Sequence, residues 1–358
     1  MKIIDFYIIR KFLSTFFLSI SLIIVIVIIF DISENIDDFV DKQAPLFDII
    51  FVYYLNFIPY FINLFSPLFT FIAVIFFTAK MASNTEIVAI LGSGVSFRRM
   101  LVPYIISALF LTLISFYLSN FLIPYTNKNM INFKNTYIKN KFTNGDQNIH
   151  MQVNPGVFAY VESYNVDNNE GRNFTLEKFD KGKMVYKLSS NSIIWDSAGG
   201  KWTLIMYNAR WMNGMHEKLV SGPKKDTVIN MFPSDFLRKT DNIEVMNFSQ
   251  LREFIDEEKM KGSENIKFYE VEKHKRIAFP LASLVLTLIA VSVSSRKVRG
   301  GIGIHIAFGL SITFTYVLFM KITETFATFG NLPPILAIWI PNIVYLMLGF
   351  YLLYKAPK

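Results

Sequence analysis

The sequence predicts a polytopic α-helical membrane protein with six transmembrane helices and one all-β, jelly-roll-like domain inserted between helices 3 and 4. Three observations predict it. Six apolar stretches each come close to the ~20 residues that span a bilayer. One polar block, residues 124–276, separates the first three from the last three and carries strand-like patterning. Basic residues collect in one set of short segments and acidic residues in another, as membrane topology demands.

The first span, 12–30, holds 15 Phe, Leu, Ile or Val in 19 positions. At the insertion values of such residues, that run favours the membrane by roughly 5–9 kcal/mol. It is too long for a secretory signal and ends at Ile29-Phe30-Asp31 without a small-x-small cleavage site, so a retained span is expected. The second stretch, 49–79, contains Pro59 and Pro67 and reads as one tilted or kinked span with a projecting end. The third lies near 101–123. The first region thus covers 1–123.

Between the second and third spans, residues 83–94 run Ser-Asn-Thr-Glu-Ile-Val-Ala-Ile-Leu-Gly-Ser-Gly. Ser83 with Glu86 three residues on has the form of a capping box, and Gly92 stands where a helix would stop. A two-turn apolar helix is expected there. So short a helix does not persist alone in water, so it must dock, either on this chain's own spans or on a partner.

In the polar block, 149–153, 157–163, 173–179, 183–195, 201–212 and 218–220 read as strands. Asn154-Pro155-Gly156, Asn168–Gly171, Asp180-Lys181-Gly182, Ser197–Gly200 and Met212-Asn213-Gly214 supply the turns. Residues 248–261, capped by Asn247 or Ser249 and stopped by Gly262, read as an amphipathic helix that ends the block. The last region, 277–358, holds spans near 277–294, 302–320 and 334–354. Within the spans, Asn56, Asn63, Ser66 and Thr70 share one helical face, as do Ala108, Thr112, Ser115 and Ser119, and Gly301, His305 and Gly309. Packing between helices is the plain account of these faces, and lining of a wet or lipid-filled cavity is the other.

The formal charge of +8 suggests nucleic acid only until the charges are located. Lys2, Arg10, Lys11, Lys80, Arg98, Arg99, Arg296, Lys297, Arg299, Lys355 and Lys358 stand with Asp5 and Glu86 as the only carboxylates in their segments. The first opposite loop carries Asp31, Glu34, Asp37, Asp38, Asp41 and Asp48 against Lys42. Both termini are therefore expected in the cytoplasm and the large block outside. The basic excess is topological, and no nucleic-acid partner is expected.

Cysteine is absent, which removes disulfides and thiolate metal sites. His150, His216, His274 and His305 are scattered, without the spacing of a metal site. No P-loop occurs, Gly300-Gly301-Ile302-Gly303 opens a span with no strand before it, and no nucleophile–base arrangement stands out. Span centres lack the acids a proton-driven carrier needs. An enzyme is not expected, and neither a metal nor a directly bound cofactor.

Four stretches resemble the lipopolysaccharide export permease family, LptF/LptG, also called YjgP/YjgQ. They are Tyr7-Ile8-Ile9-Arg10-Lys11-Phe12, then Thr85-Glu86-Ile87-Val88 with Gly92-Ser93-Gly94-Val95-Ser96. The others are Tyr269 through Lys275-Arg276-Ile277-Ala278-Phe279-Pro280, and Leu332-Pro333-Pro334-Ile335 with Pro341. The Pro-Pro start of the last span resembles the LptG type more than the LptF type.

The resemblance implies a multi-pass inner-membrane subunit with a periplasmic jelly roll. It would be paired with a paralogous LptF-like permease and driven by a cytoplasmic LptB-like ABC ATPase dimer, which uses the ATP. Lipopolysaccharide would pass to LptC/LptA-like jelly-roll bridge proteins and so serve outer-membrane biogenesis. Glu86 matches the family's acidic coupling-helix residue, with Thr85, Ile87, Arg98 and Arg99 around it. The first and fifth spans resemble lateral gates for lipid.

A multiply phosphorylated lipid calls for cations at the outer boundary, and Lys134, Lys275, Arg276 and Lys321 are the candidates. Lys134 and Arg276 fall where family members carry basic residues. The alternatives are interfacial anchoring or ion pairing, such as Lys321 with Glu324. Where some members carry lysines, this chain has Asp31, Glu34, Asp37 and Asp38, which repel phosphate unless divalent cations bridge them, and which fit a substrate with fewer phosphates. A permease for another lipid or lipoprotein, or a membrane scaffold that transports nothing, are the competing readings.

Overall fold

The computed structural model describes residues 3–138, 148–165, 168–197, 199–214, 216–236, 243–260, 262–263, 265–295 and 301–356. Lys2, Arg296, Lys297, Arg299, Gly300 and Lys358 lie outside them, as does Lys261 at the expected end of the amphipathic helix. The chain divides into two compact units, one of Met1–Met130 with Lys267–Lys358 and one of Ile131–Ile266.

In the first unit, helix α1 is Ile3–Asp41 and α2 is Leu55–Ser83, entered through a π-helical segment, Asp48–Tyr54. Helix α3 is Glu86–Gly92 and α4 is Phe97–Tyr117, which continues through a second π-helical segment, Leu118–Leu122, into α5, Ile123–Tyr137. After the second unit come α7, Ile266–Ser294, α8, Gly301–Phe329, and α9, Pro334–Tyr354. Among the described residues six helices are long and apolar enough to cross a membrane: Ile3–Asp41, Asp48–Ser83, Phe97–Tyr137, Ile266–Ser294, Gly303–Phe329 and Pro334–Tyr354. The stretch around Pro59 and Pro67 is one of them, a single span.

Two boundaries differ from those read in the sequence. Residues 31–41 are not a loop; they are the last turns of α1. A helix needs apolar residues only where lipid or protein surrounds it, so acidic turns beyond the apolar run escaped a hydropathy criterion. The third span likewise stays helical beyond 123, to Tyr137.

One apolar core runs through this unit. The buried apolar residues of α1 before its last turn, Ile8, Phe12, Phe16, Ile20 and Ile24, form one narrow stripe at four-residue spacing. They meet Phe71, Val74 and Phe77 of α2, Met100 and Tyr104 of α4, and Leu286 and Ile289 of α7 in the same core. Part of the polar faces pairs across helices. Asn63 Nδ2 donates to Ser119 Oγ at 2.9 Å, and Ser115 Oγ donates to Asn63 Oδ1 at 2.5 Å, joining α2 to the third span. Thr112 Oγ1 donates to the Pro280 carbonyl of α7 at 3.3 Å. Such pairing satisfies groups for which lipid offers no partner.

The second unit holds strands β1 (Ile149–Asn154), β2 (Val157–Asn165), β3 (Glu170–Asp180), β4 (Lys183–Asp196), β5 (Lys201–Asn213) and β6 (His216–Thr227). They form one antiparallel sheet in which every strand lies beside its sequence neighbours. The β1–β2 turn needs its glycine: Gly156 has φ +73°, and a Cβ there would stand 2.9 Å from the Phe179 carbonyl oxygen. Val161, Phe174, Leu188, Ile193, Trp202 and Leu204 point into one core, which Ile229, Met231 and Phe236 close after β6. Trp202 Nε1 donates to the Met231 carbonyl at 2.7 Å, so the largest core side chain leaves no polar atom unpaired. Helix α6, Phe248–Met260, starts with a reciprocal cap: Gln250 N–H donates to Asn247 Oδ1 and Asn247 N–H to Gln250 Oε1, at 2.9 and 3.0 Å.

Candidate functional site

The loop joining α2 to α4 carries Thr85, Glu86 and Ile87, and the first turn of α4 carries Arg98 and Arg99. Its helix α3 forms, but not through the expected capping box. Helix α2 runs past its apolar stretch and takes Ser83 as its last residue, which leaves that hydroxyl behind the new helix. Thr85 stands at the N-cap instead, at φ +61°, and its hydroxyl donates to the Asn84 carbonyl at 2.6 Å rather than capping. At the other end Gly92 is still helical, and Gly94 takes the left-handed turn at φ +85°. Two backbone joints therefore bracket α3.

Helix α3 has two faces. Ile87 is 2% exposed, and Ile90 and Leu91 pack with it against the core that holds Ile8, Phe12, Phe97 and Met100. Val88 is 65% exposed, and Ala89 and Gly92 are open beside it. One face is thus seated on the chain's own helices, while the other presents a small apolar surface.

Glu86 and Arg99 are both held by α1. The Tyr7 hydroxyl donates to Glu86 Oε2 at 2.9 Å, and Asn84 Nδ2 reaches Glu86 Oε1 at 3.3 Å. Arg99 forks onto Asp5, Nη1 to Oδ1 at 2.8 Å and Nη2 to Oδ2 at 2.7 Å. The Asp5 side chain is 7% exposed, so its charge is neutralised by a two-bonded guanidinium rather than by water. The Ser96 hydroxyl accepts from Arg99 N–H and starts α4. Arg98 points outward. Sequence reasoning named Glu86 and Arg99 but missed Tyr7 and Asp5 as their partners.

Three of the candidate cations lie in the first unit, each beside a carboxylate. Lys275 donates to Glu324 Oε1 at 3.1 Å, and Lys321 stands 3.0 Å from Glu324 Oε2, so one carboxylate of α8 brings those two lysines together. Arg276 is 5% exposed and turns to Glu272 on its own helix, Nε to Oε1 at 3.1 Å. Lys134 lies half-buried in the last turn of α5. The acidic end of α1 is partnered too: Asp31 accepts from the Tyr53 and Tyr54 hydroxyls at 3.1 and 3.0 Å. Beside that contact Ile32, Ile36, Val40, Leu46 and Ile50 line an apolar groove of about 540 Å³.

Among the described residues, six candidate spans, one inserted antiparallel sheet and a half-exposed loop helix define a polytopic membrane protein. No curated protein matches the chain. It belongs to the LptF/LptG family: residues 6–355 match the family described as the lipopolysaccharide export system permease LptF/LptG.

Proposed function

We propose that the chain is a non-ATPase permease subunit of an ABC-type exporter that extracts lipopolysaccharide from the inner membrane and passes it to a periplasmic bridge. Its termini and α3 face the cytoplasm, and its sheet faces the periplasm. A paralogous permease pairs with it, the chain itself filling the LptG-like role, and a cytoplasmic ATPase dimer supplies the work. The observation that carries this reading is α3: seven residues, jointed at both ends, with Val88 and Ala89 open on one face and Glu86 at its start. That is the shape of a segment seated in a partner's groove, where an amphipathic helix binds by its free apolar face.

The outer boundary supports a phosphorylated lipid as cargo. Lys275 and Lys321 place two cations on the one carboxylate of Glu324 and Lys134 adds a half-buried cation, whereas Arg276 is buried against Glu272. The groove beside Asp31 offers an apolar surface for acyl chains. The carboxylates of the same α1 segment favour a lipid with fewer phosphates.

Affinity purification of the tagged full-length chain tests the reading. An ABC ATPase and lipopolysaccharide should co-purify, and Glu86→Lys should remove the ATPase while the chain remains in the membrane. A preparation that carries no ATPase, or another lipid in place of lipopolysaccharide, would refute it.

A further inference from the structure

Of the six spans, α1 alone contains neither proline nor glycine. The π-helical segments fall elsewhere, at the start of the second span and within the third. Helix α1 is thus 39 residues of continuous helix, about 58 Å long, without proline, glycine or a π-helical segment. It is also the least embedded: 22% of its most apolar stretch is buried, against 56% for the second span and 67% for the fourth. A stiff rod held along one stripe moves as a body when one end is pushed.

Its first turns are held at two points 79 and 94 residues away in sequence, by α3 through Tyr7 on Glu86 and by the first turn of α4 through Asp5 on Arg99. Both contacts are polar, directional and charge-assisted, unlike the apolar packing that surrounds them. Left-handed backbone at Thr85 and Gly94 breaks the helix on either side of α3, so α3 is a segment separate from α2 and α4. We infer that Tyr7 and Asp5 are positioning residues, Tyr7 tying α3 to α1 and Asp5 holding the same end of α1 to α4 as a pivot, so that displacement of α3 is delivered to α1 and carried along it to the groove at Ile32–Val40. This rests on the docking role of α3 proposed above. Each of the two residues acts through the side chain it holds.

The test uses the complete complex with its ATPase, reconstituted in lipid nanodiscs, and the variants Tyr7→Phe and Asp5→Asn. Tyr7 is 38% exposed, so loss of its hydroxyl leaves the fold intact. The expected result is normal ATPase co-purification and ATP turnover with lipid released per ATP reduced about tenfold, the scale of one charge-assisted hydrogen bond. Asp5→Glu, which keeps a carboxylate within reach of Arg99, should restore the ratio. Because the chain has no cysteine, spin labels at Val40→Cys and Ile335→Cys report α1 directly. Their distance should change on nucleotide trapping in the parent and stay fixed in Tyr7→Phe. An unchanged lipid-to-ATP ratio in both variants, or a full distance change in Tyr7→Phe, overturns the inference and leaves the docking role standing. Absence of the ATPase from the parent preparation overturns both.

Discussion

The Tyr316 hydroxyl donates to Asn342 Oδ1 at 2.8 Å, and the same amide's Nδ2 donates to the Ala278 carbonyl at 2.9 Å, so one side chain of α9 ties α8 to α7. Tyr316 is 1% exposed and Asn342 5%. Asn342→Leu strands the phenol in an apolar interior, which costs about 1–3 kcal/mol. The lower part of that range is expected in a membrane bundle, where the unfolded chain finds other partners. Unfolding in mixed micelles measures it. Adding Tyr316→Phe should recover part of the loss, because removing both partners costs less than orphaning one.

Helix α8 approaches α2 closely at Gly309. A Cβ there would stand 2.4 Å from Ile75 Cδ1 and 3.1 Å from Phe71 Cε1. The Ile75 tip can turn aside, so Gly309→Ala should cost under about 1 kcal/mol, whereas Gly309→Leu overpacks the contact by about 1–3 kcal/mol. Thermal melting of the purified chain orders the three proteins, and equal midpoints for glycine and leucine would contradict the contact.

Much of this architecture was legible because burial in lipid and in a sheet both write a period into the chain. The apolar runs marked six spans, and strand-length runs between turns marked six strands. The polar faces of Asn63, Ser115 and Thr112 were legible for the same reason. What escaped were features without a local signature. Helix α1 continues through Asp31–Asp41 because those turns need no apolar residues. Ser83 was absorbed into α2, so a pattern correct in spacing had no helix start to cap. Tyr7–Glu86 and Asp5–Arg99 join residues far apart in sequence, and no periodicity reports such pairs. Helix α3 was marked by its motif; its attachment to α1 needed coordinates.

Trp202 is fully buried on β5, its ring edge-on to Trp195 and its Nε1 bonded to the Met231 carbonyl. Trp202→Ala should cost about 3–5 kcal/mol and expose the sheet unit to protease. Trp202→Phe keeps most of the apolar contact but orphans the buried carbonyl, so an intermediate loss is expected. Digestion rates of the three full-length proteins separate these outcomes.

Tyr164 of β2 offers a pH test of the second unit's core. Its ring stacks on Phe236 at 4.2 Å and its hydroxyl donates to Asn169 Oδ1 at 3.2 Å. Burial pushes its phenol up to about 12, because a phenolate there would lose its water. An unfolded tyrosine titrates near ~10. The folded state therefore holds this proton more tightly than the unfolded state does. The corresponding stability is complete below pH ~10 and disappears as pH rises through about 12, a loss on the order of 2 kcal/mol. Subtracting the alkaline phenolate titration of Tyr164→Phe from that of the parent isolates this one group. Its midpoint should fall near 12, and the variant's stability should decline less steeply over the same interval. A midpoint near ~10, that of a free tyrosine, would show that water reaches the β2 phenol and that Phe236 does not cover it.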